Sequence, residues 1–193
     1  MDKCQRCGKN SNGYGMVVLK LKDNESSILI CNKCHNKYMA DMLNVDYYEG
    51  FERKVIFTDC EDVEHTFQIM NRIDPTGIYW EAVEFLDEDK IGYHFQIHQE
   101  FEDDSKETLK RLYDKVEKGL SMKFIKREVS FGREFNSLKD DKTEGRIEWD
   151  ERYEGNIPKF IIDGKEYSLD ELGRMIMSYE GWNFKLEIIE PTE

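Results

Sequence analysis

Two cysteine pairs, Cys4-Gln-Arg-Cys7 and Cys31-Asn-Lys-Cys34, are the residues whose types and intervals most directly imply chemistry. In a CxxC turn the sulfurs of residues i and i+3 converge on one ion at about 2.3 Å, and two such turns supply a complete tetrahedral set. Cys4, Cys7, Cys31 and Cys34 are therefore expected to hold a structural Zn2+, since a catalytic zinc keeps one position for water. Gly8 follows the second sulfur, where a positive φ lets backbone amides turn toward thiolates.

Other chemistries fit these residues less well. Cys31 to His35 reads CxxCH, the c-type haem attachment pattern, but that leaves Cys4 and Cys7 without a role. Rubredoxin-like iron usually has glycine after both knuckles, and His35 stands after the second. A redox dithiol needs only one pair. His35 is expected to start a helix or to support the site from outside it. Cys60, the fifth cysteine, lies between Asp59 and Glu61-Asp62, whose charges raise a thiol pKa and argue against a nucleophile.

Little else in the sequence points to a reaction. His94 and His98 are four residues apart on an expected strand, about 13 Å, too far to share an ion with each other; with His65 they are expected on a solvated face. The carboxylate groups Asp59/Glu61/Asp62, Asp87/Glu88/Asp89 and Asp103/Asp104 fall at turns and helix starts, where acids belong. Nucleophile-elbow, zincin, dinucleotide, phosphate-loop and EF-hand patterns are not found. The rings of Tyr79, Trp80, Phe85, Tyr93, Phe95 and Trp182 are expected to fill a core rather than line a pocket. A non-enzymatic chain is expected, with no catalytic residue.

The charge balance restricts the partners. The 193 residues carry 28 Lys/Arg against 41 Asp/Glu, a net −13. The first 45 hold seven basic residues against four acidic ones, leaving −16 on the remainder, which repels a phosphate backbone. No apolar run reaches the roughly 18–20 residues of a membrane span, and Met-Asp-Lys-Cys does not read as a secretory start. With four of five cysteines in metal spacing, a cytoplasmic protein is expected.

The elements that position the cysteines are legible. Met16–Leu21 and Ser27–Ile30 are short apolar runs separated by Lys22–Ser26, a hairpin that returns the chain to Cys31. Tyr38/Met42 and Met39/Leu43 then show helical spacing, which puts Cys31 and Cys34 at a helix N-terminus, where the dipole favours thiolate. The order is knuckle, hairpin, helix, the plan of a treble clef. On Cys4-x-x-Cys-Gly-Lys9 and Ile30-Cys-x-x-Cys34 the region resembles the amino-terminal zinc finger of the ClpX unfoldase and the small fingers of Clp-protease regulators. The resemblance covers residues 4 to about 45, and it implies zinc binding with dimerisation or protein docking. Unfoldase activity is not implied, because no ATPase phosphate loop follows.

Residues 44–54 read as a junction hinged at Gly50, so a metal module at 1–45 and an acidic domain at 51–193 are expected. The domain reads as α+β. Strands at 55–58, 64–70, 78–86 and 93–101, joined by short turns, predict an antiparallel meander with one dry and one wet face. Asp104 and Glu107 open a helix whose stripe of Leu109, Leu112, Tyr113, Val116 and Leu120 covers the dry face. Residues 131–156 are expected to be a solvated loop. Pro158–Tyr167 predicts a hairpin turning at Asp163-Gly164; Ser168 and Glu171 predict a capping box. Leu172, Met175, Ile176 and Tyr179 form the second stripe, Gly181 is expected at its C-terminus, and Trp182–Ile189 predicts a closing strand. The combined expectation is a zinc-stabilised adaptor or regulator that binds a protein partner or self-associates through its zinc module. One alternative is nucleic-acid binding through Arg6, Lys9, Lys20, Lys22, Lys33 and Lys37. The other is an enzyme pocket in the acidic domain.

Overall fold

A computed structural model describes residues 2–11, 13–20, 27–87 and 90–192. The chain is α+β, mostly antiparallel, with three helices and the cysteine pairs near its N-terminus. β1 (Asp2–Lys3) pairs with β2 (Asn10–Ser11), closing the loop that holds Cys4 and Cys7. β3 (Met16–Lys20) and β4 (Ser27–Cys31) form the expected hairpin, with Met16 opposite Cys31. The turn foreseen at Lys22–Ser26 lies outside the described residues. α1 (Asn32–Leu43) follows directly and ends at Asn44, which takes a left-handed conformation and donates to Ala40 O.

β5 (Lys54–Thr58), β6 (Glu64–Asp74), β7 (Gly77–Phe85) and β8 (Ile91–Gln99) pair antiparallel in chain order. Alternation sorts their side chains. Phe67, Ile69 and Ile73 of β6, Ile78, Trp80 and Ala82 of β7, and Ile97 of β8 are buried on one face. α2 (Ser105–Leu120) covers that face with Leu112, Val116 and Leu120 fully buried. Asp104 caps the helix, its carboxylate accepting from the Lys106 and Glu107 amides. Burying each large side chain contributes about 1.5–3 kcal/mol, so the apolar stripe fixes helix to sheet. Gly119 continues the helix rather than breaking it. A Cβ there would lie 2.3 Å from the Phe95 ring, so glycine lets the last turn approach β8.

The opposite face is not simply wet. Met70, Glu81 and Val83 are buried on it. Tyr14, from the turn before β3, lies over it with its ring edge-on to Phe85 at 5.4 Å and its hydroxyl donating to Glu81 Oε2 at 2.7 Å. The junction is not loose either, since Tyr47, Tyr48 and Phe51 pack on the same cluster as Trp80.

The C-terminal third contains β9 (Ile125–Ser130), β10 (Arg133–Leu138), β11 (Arg146–Trp149), β12 (Pro158–Ile162), β13 (Lys165–Ser168) and α3 (Leu169–Ile176). Two expectations are corrected here. Residues 131–156 are not a solvated loop: they hold β10 and β11, one paired with β9 and the other with β12. The β9–β10 hairpin turns at Phe131 and Gly132, both at positive φ, and its strands are polar on both faces, so alternation gives no signal. Residues 182–189 are not a closing strand: they join no strand among the described residues and stand exposed. The Asp163-Gly164 hairpin and the Ser168–Glu171 capping box form as expected. Leu138, Ile162, Tyr167 and Met175 build a second core, whereas Ile176 remains exposed. No helix among the described residues is long and apolar enough to cross a membrane.

Candidate metal centre

The first cysteine pair is locked to the hairpin by Gln5. Its backbone N–H donates to Leu29 O at 2.9 Å, and its side-chain oxygen accepts from Leu29 N at 2.7 Å. The knuckle closes with Cys4 N donating to Lys9 O and Gly8 N donating to Cys4 O, with Gly8 at φ 73° as expected. Cys31 ends β4 and stands at the N-cap of α1 without capping it, while Cys34 lies in the first turn.

These elements bring the four sulfurs within 4.8 Å of one another. Cys7 Sγ and Cys31 Sγ are 3.8 Å apart. A tetrahedron with metal–sulfur bonds near 2.3 Å has edges of about 3.8 Å, whereas a disulfide would need about 2.05 Å. The four residues can hold a metal ion, and no other group of three or more potential ligands clusters this way among the described residues. His35 is not in the group.

Without an ion the set shares its protons unequally. Burial pushes the Cys4 thiol up, but the amides of Cys31, Cys7 and Arg6 outweigh it and bring the pKa to about 6. Burial, followed by the neighbouring thiols, pushes Cys34 up to about 12. One thiolate is therefore favoured and further ones are resisted, which is the condition a divalent cation relieves.

The site is tied to the sheet through Asn36. β5 and Arg53 before it cover only the first part of β6, leaving an open edge beyond Ile69. Asn36 fills it in the manner of a strand residue. Its Oδ1 accepts from Ile73 N at 3.0 Å, and its Nδ2 donates to Asn71 O at 2.9 Å. Asn32 Nδ2 also donates to Asn71 O, at 2.5 Å. Asn36 and Asn71 are each 2% exposed, and Met39 and Ala40 join the sheet's core. Asn36 Nδ2 also donates to Asn71 Oδ1 at 3.1 Å, so replacing Asn36 by Ala leaves the buried Ile73 amide and Asn71 Oδ1 unpaired. A loss of about 2–4 kcal/mol is expected, read by urea denaturation.

The histidines do not converge. His94 lies on the Tyr14 face beside Glu81, and His98 Nε2 donates to Thr76 O in the turn before β7. His65 is on the α2 face. There the structure shows a network that sequence reasoning missed. His65 Nδ1 is 2.6 Å from Glu84 Oε1 and its Nε2 is 3.2 Å from Asp59 Oδ2. Lys123 Nζ reaches Asp59 Oδ2 at 2.6 Å and donates to Tyr93 OH at 3.0 Å. Burial alone would raise the Asp59 carboxyl, but Lys123, the Val63 and Glu61 amides and His65 hold it well below the usual range. Asp59 belongs to a turn by sequence, and nothing in the spacing announces that Lys123, 64 residues on, neutralises it. Cys60 is exposed and unpaired with another sulfur.

The aromatic residues likewise separate. Trp80, Tyr93 and Phe95 belong to the sheet core, Tyr79 and Phe85 to the other face, and Trp182 to the surface. An open polar cleft of about 740 Å3 lies along Arg152, Lys159 and Glu171. Its cations face acids, with Arg152 2.6 Å from Asp150 and Lys159 3.2 Å from Glu166. Of the expected nucleic-acid contacts, Arg6 donates to Cys34 O and Lys33 pairs with Glu49. Lys9, Lys20 and Lys37 are exposed, and Lys22 lies outside the described residues.

Three family models match the chain, each described as a domain of unknown function. They are DUF7685 over residues 3–46, DUF7686 over 49–121 and DUF7713 over 124–193. The first spans the cysteine pairs through α1, the second the four-stranded sheet with α2, and the third begins before β9. No curated protein and no solved structure matches the chain.

Proposed function

We propose that Cys4, Cys7, Cys31 and Cys34 bind one structural Zn2+ in a treble clef, and that the chain is a non-enzymatic, cytoplasmic adaptor or regulator. The observation that carries this is the sulfur geometry. Four protein ligands from two knuckles fill a tetrahedron and leave no position for a reacting water. Loop, hairpin and helix follow one another in the order of the treble clef, in line with the resemblance to the ClpX-type finger. Free thiols at this spacing suit a reducing compartment.

The partner is a protein rather than a nucleic acid. With −16 outside the first 45 residues, a polyanion approaching the module's lysines meets a repulsive neighbour. A basic protein surface suits the charge. Because one side of α1 is used against β6, the module offers its remaining surface, where Val18 and Met42 are exposed. Cross-linking in cells followed by mass spectrometry tests the reading. Links from one partner to residues 2–43, lost in Cys34→Ser, are the expected result. Links confined to other regions and unchanged by that substitution would contradict it.

A further inference from the structure

Of the 19 large apolar side chains exposed among the described residues, 14 lie beyond residue 123, which places the unsatisfied surface of this chain in its C-terminal third. The densest part is the segment after α3. Trp182, Phe184, Leu186 and Ile188 alternate along it, exposed by 66%, 90%, 75% and 67%. Between them stand Lys185 and Glu187, 2.9 Å apart and exposed. From residue 183 to 190 no backbone group bonds to another backbone group among the described residues. Yet the segment is held at both ends. Trp182 N donates to Tyr179 O, and Lys115 Nζ donates to Pro191 O at 2.9 Å. It has the side-chain period of a half-buried strand and the backbone of an unpaired one.

We propose that residues 182–189 form an antiparallel strand pair with the same segment of a second copy of this chain, centred on Leu186. The charges select both the occupant and the register. With Leu186 on the two-fold axis, Lys185 of each copy lies opposite Glu187 of the other, twice, and Phe184 lies opposite Ile188. A register centred on Lys185 or on Glu187 puts like charges face to face, which destabilises a strand pair. Self-pairing is isologous, as a closed dimer requires. The apolar residues of both strands then share one face, beside Ile176 and Met177, which α3 and the turn after it leave exposed just before the segment. The alternating residues offer roughly 600 Å2 of apolar surface per copy, which the pairing gathers on one face.

Sedimentation velocity on the full chain tests this. The wild type is expected to dimerise in the tens of micromolar. Leu186→Lys, which sets two cations on the axis, should weaken the dimer at least tenfold. Lys185→Glu should weaken it several-fold, and combining it with Glu187→Lys should restore it, since the exchanged charges face each other again. A monomeric wild type overturns the proposal. So does a dimer indifferent to Leu186→Lys, or a charge exchange that fails to restore what Lys185→Glu removes. The pairing uses no cysteine, so metal content and the links to residues 2–43 should be unchanged in these variants. Its failure is thereby distinct from that of the metal-dependent docking.

Discussion

Stripping the proposed zinc from the four-cysteine site is expected to unfold residues 2–43 and open the edge of β6 on which they dock. The module has little core of its own. Among the described residues, Cys4 and Ile30 are its buried apolar ones before α1, while Met39 and Ala40 belong to the sheet's cluster. A segment of this size needs a staple, and four-sulfur zinc sites supply about 10–16 kcal/mol in finger peptides. Losing the ion removes more than the module can retain from its hydrogen bonds. α1 then cannot present Asn36 to Asn71 and Ile73, so the effect reaches the sheet. Hydrogen exchange reads this directly. The Ile73 amide, protected by Asn36, should exchange orders of magnitude faster after chelation or in Cys4→Ser, while amides in the interior of β7 should change far less. Unchanged protection at Ile73 would show that the module folds and docks without metal.

The second large effect is expected at Lys123. Its ammonium neutralises Asp59, whose side chain is 1% exposed. Lys123→Met leaves that carboxylate buried with only His65 and two amides, and removing one partner of a buried pair costs about 3–5 kcal/mol. Replacing both, as Asp59→Asn with Lys123→Met, should recover much of the loss in urea denaturation. The same pair sets an acid limb. The folded chain holds the Asp59 proton less tightly than the unfolded chain does, so protonation favours unfolding. The contribution is complete above about pH 4, the ordinary aspartate range, and is lost as pH falls below it toward the depressed folded value. With Lys123→Met the acid unfolding midpoint should move to higher pH. A midpoint that stays in place would mean that the lysine is not what holds the carboxyl ionised.

Local signals in the sequence reached some of these features and not others. Cysteine spacing, the apolar runs at β3 and β4 and the stripe on α2 each depend on neighbours within a few turns of chain, and each formed as read. The β9–β10 hairpin escaped because its strands carry charge on both faces and its turn uses Phe131 at positive φ, an uncommon choice. Trp182–Ile189 was misplaced for the opposite reason. Its alternation is that of a strand, but alternation specifies a face and not an edge to pair with, and no edge among the described residues receives it. Asn36 is one polar residue on an amphipathic helix, and only its placement against the unpaired stretch of β6 shows that it stands in for a strand. The Asp59–Lys123 pair likewise depends on long-range topology, with the end of α2 returning the chain to the turn after β5.

Native mass spectrometry of the purified chain tests the central claim most directly, because it distinguishes bound metal from disulfides. One zinc per chain and no disulfide, identically in wild type and Cys60→Ser, is the predicted result. A chain carrying two disulfides and no metal would contradict it, as would zinc that survives Cys7→Ser with undiminished affinity.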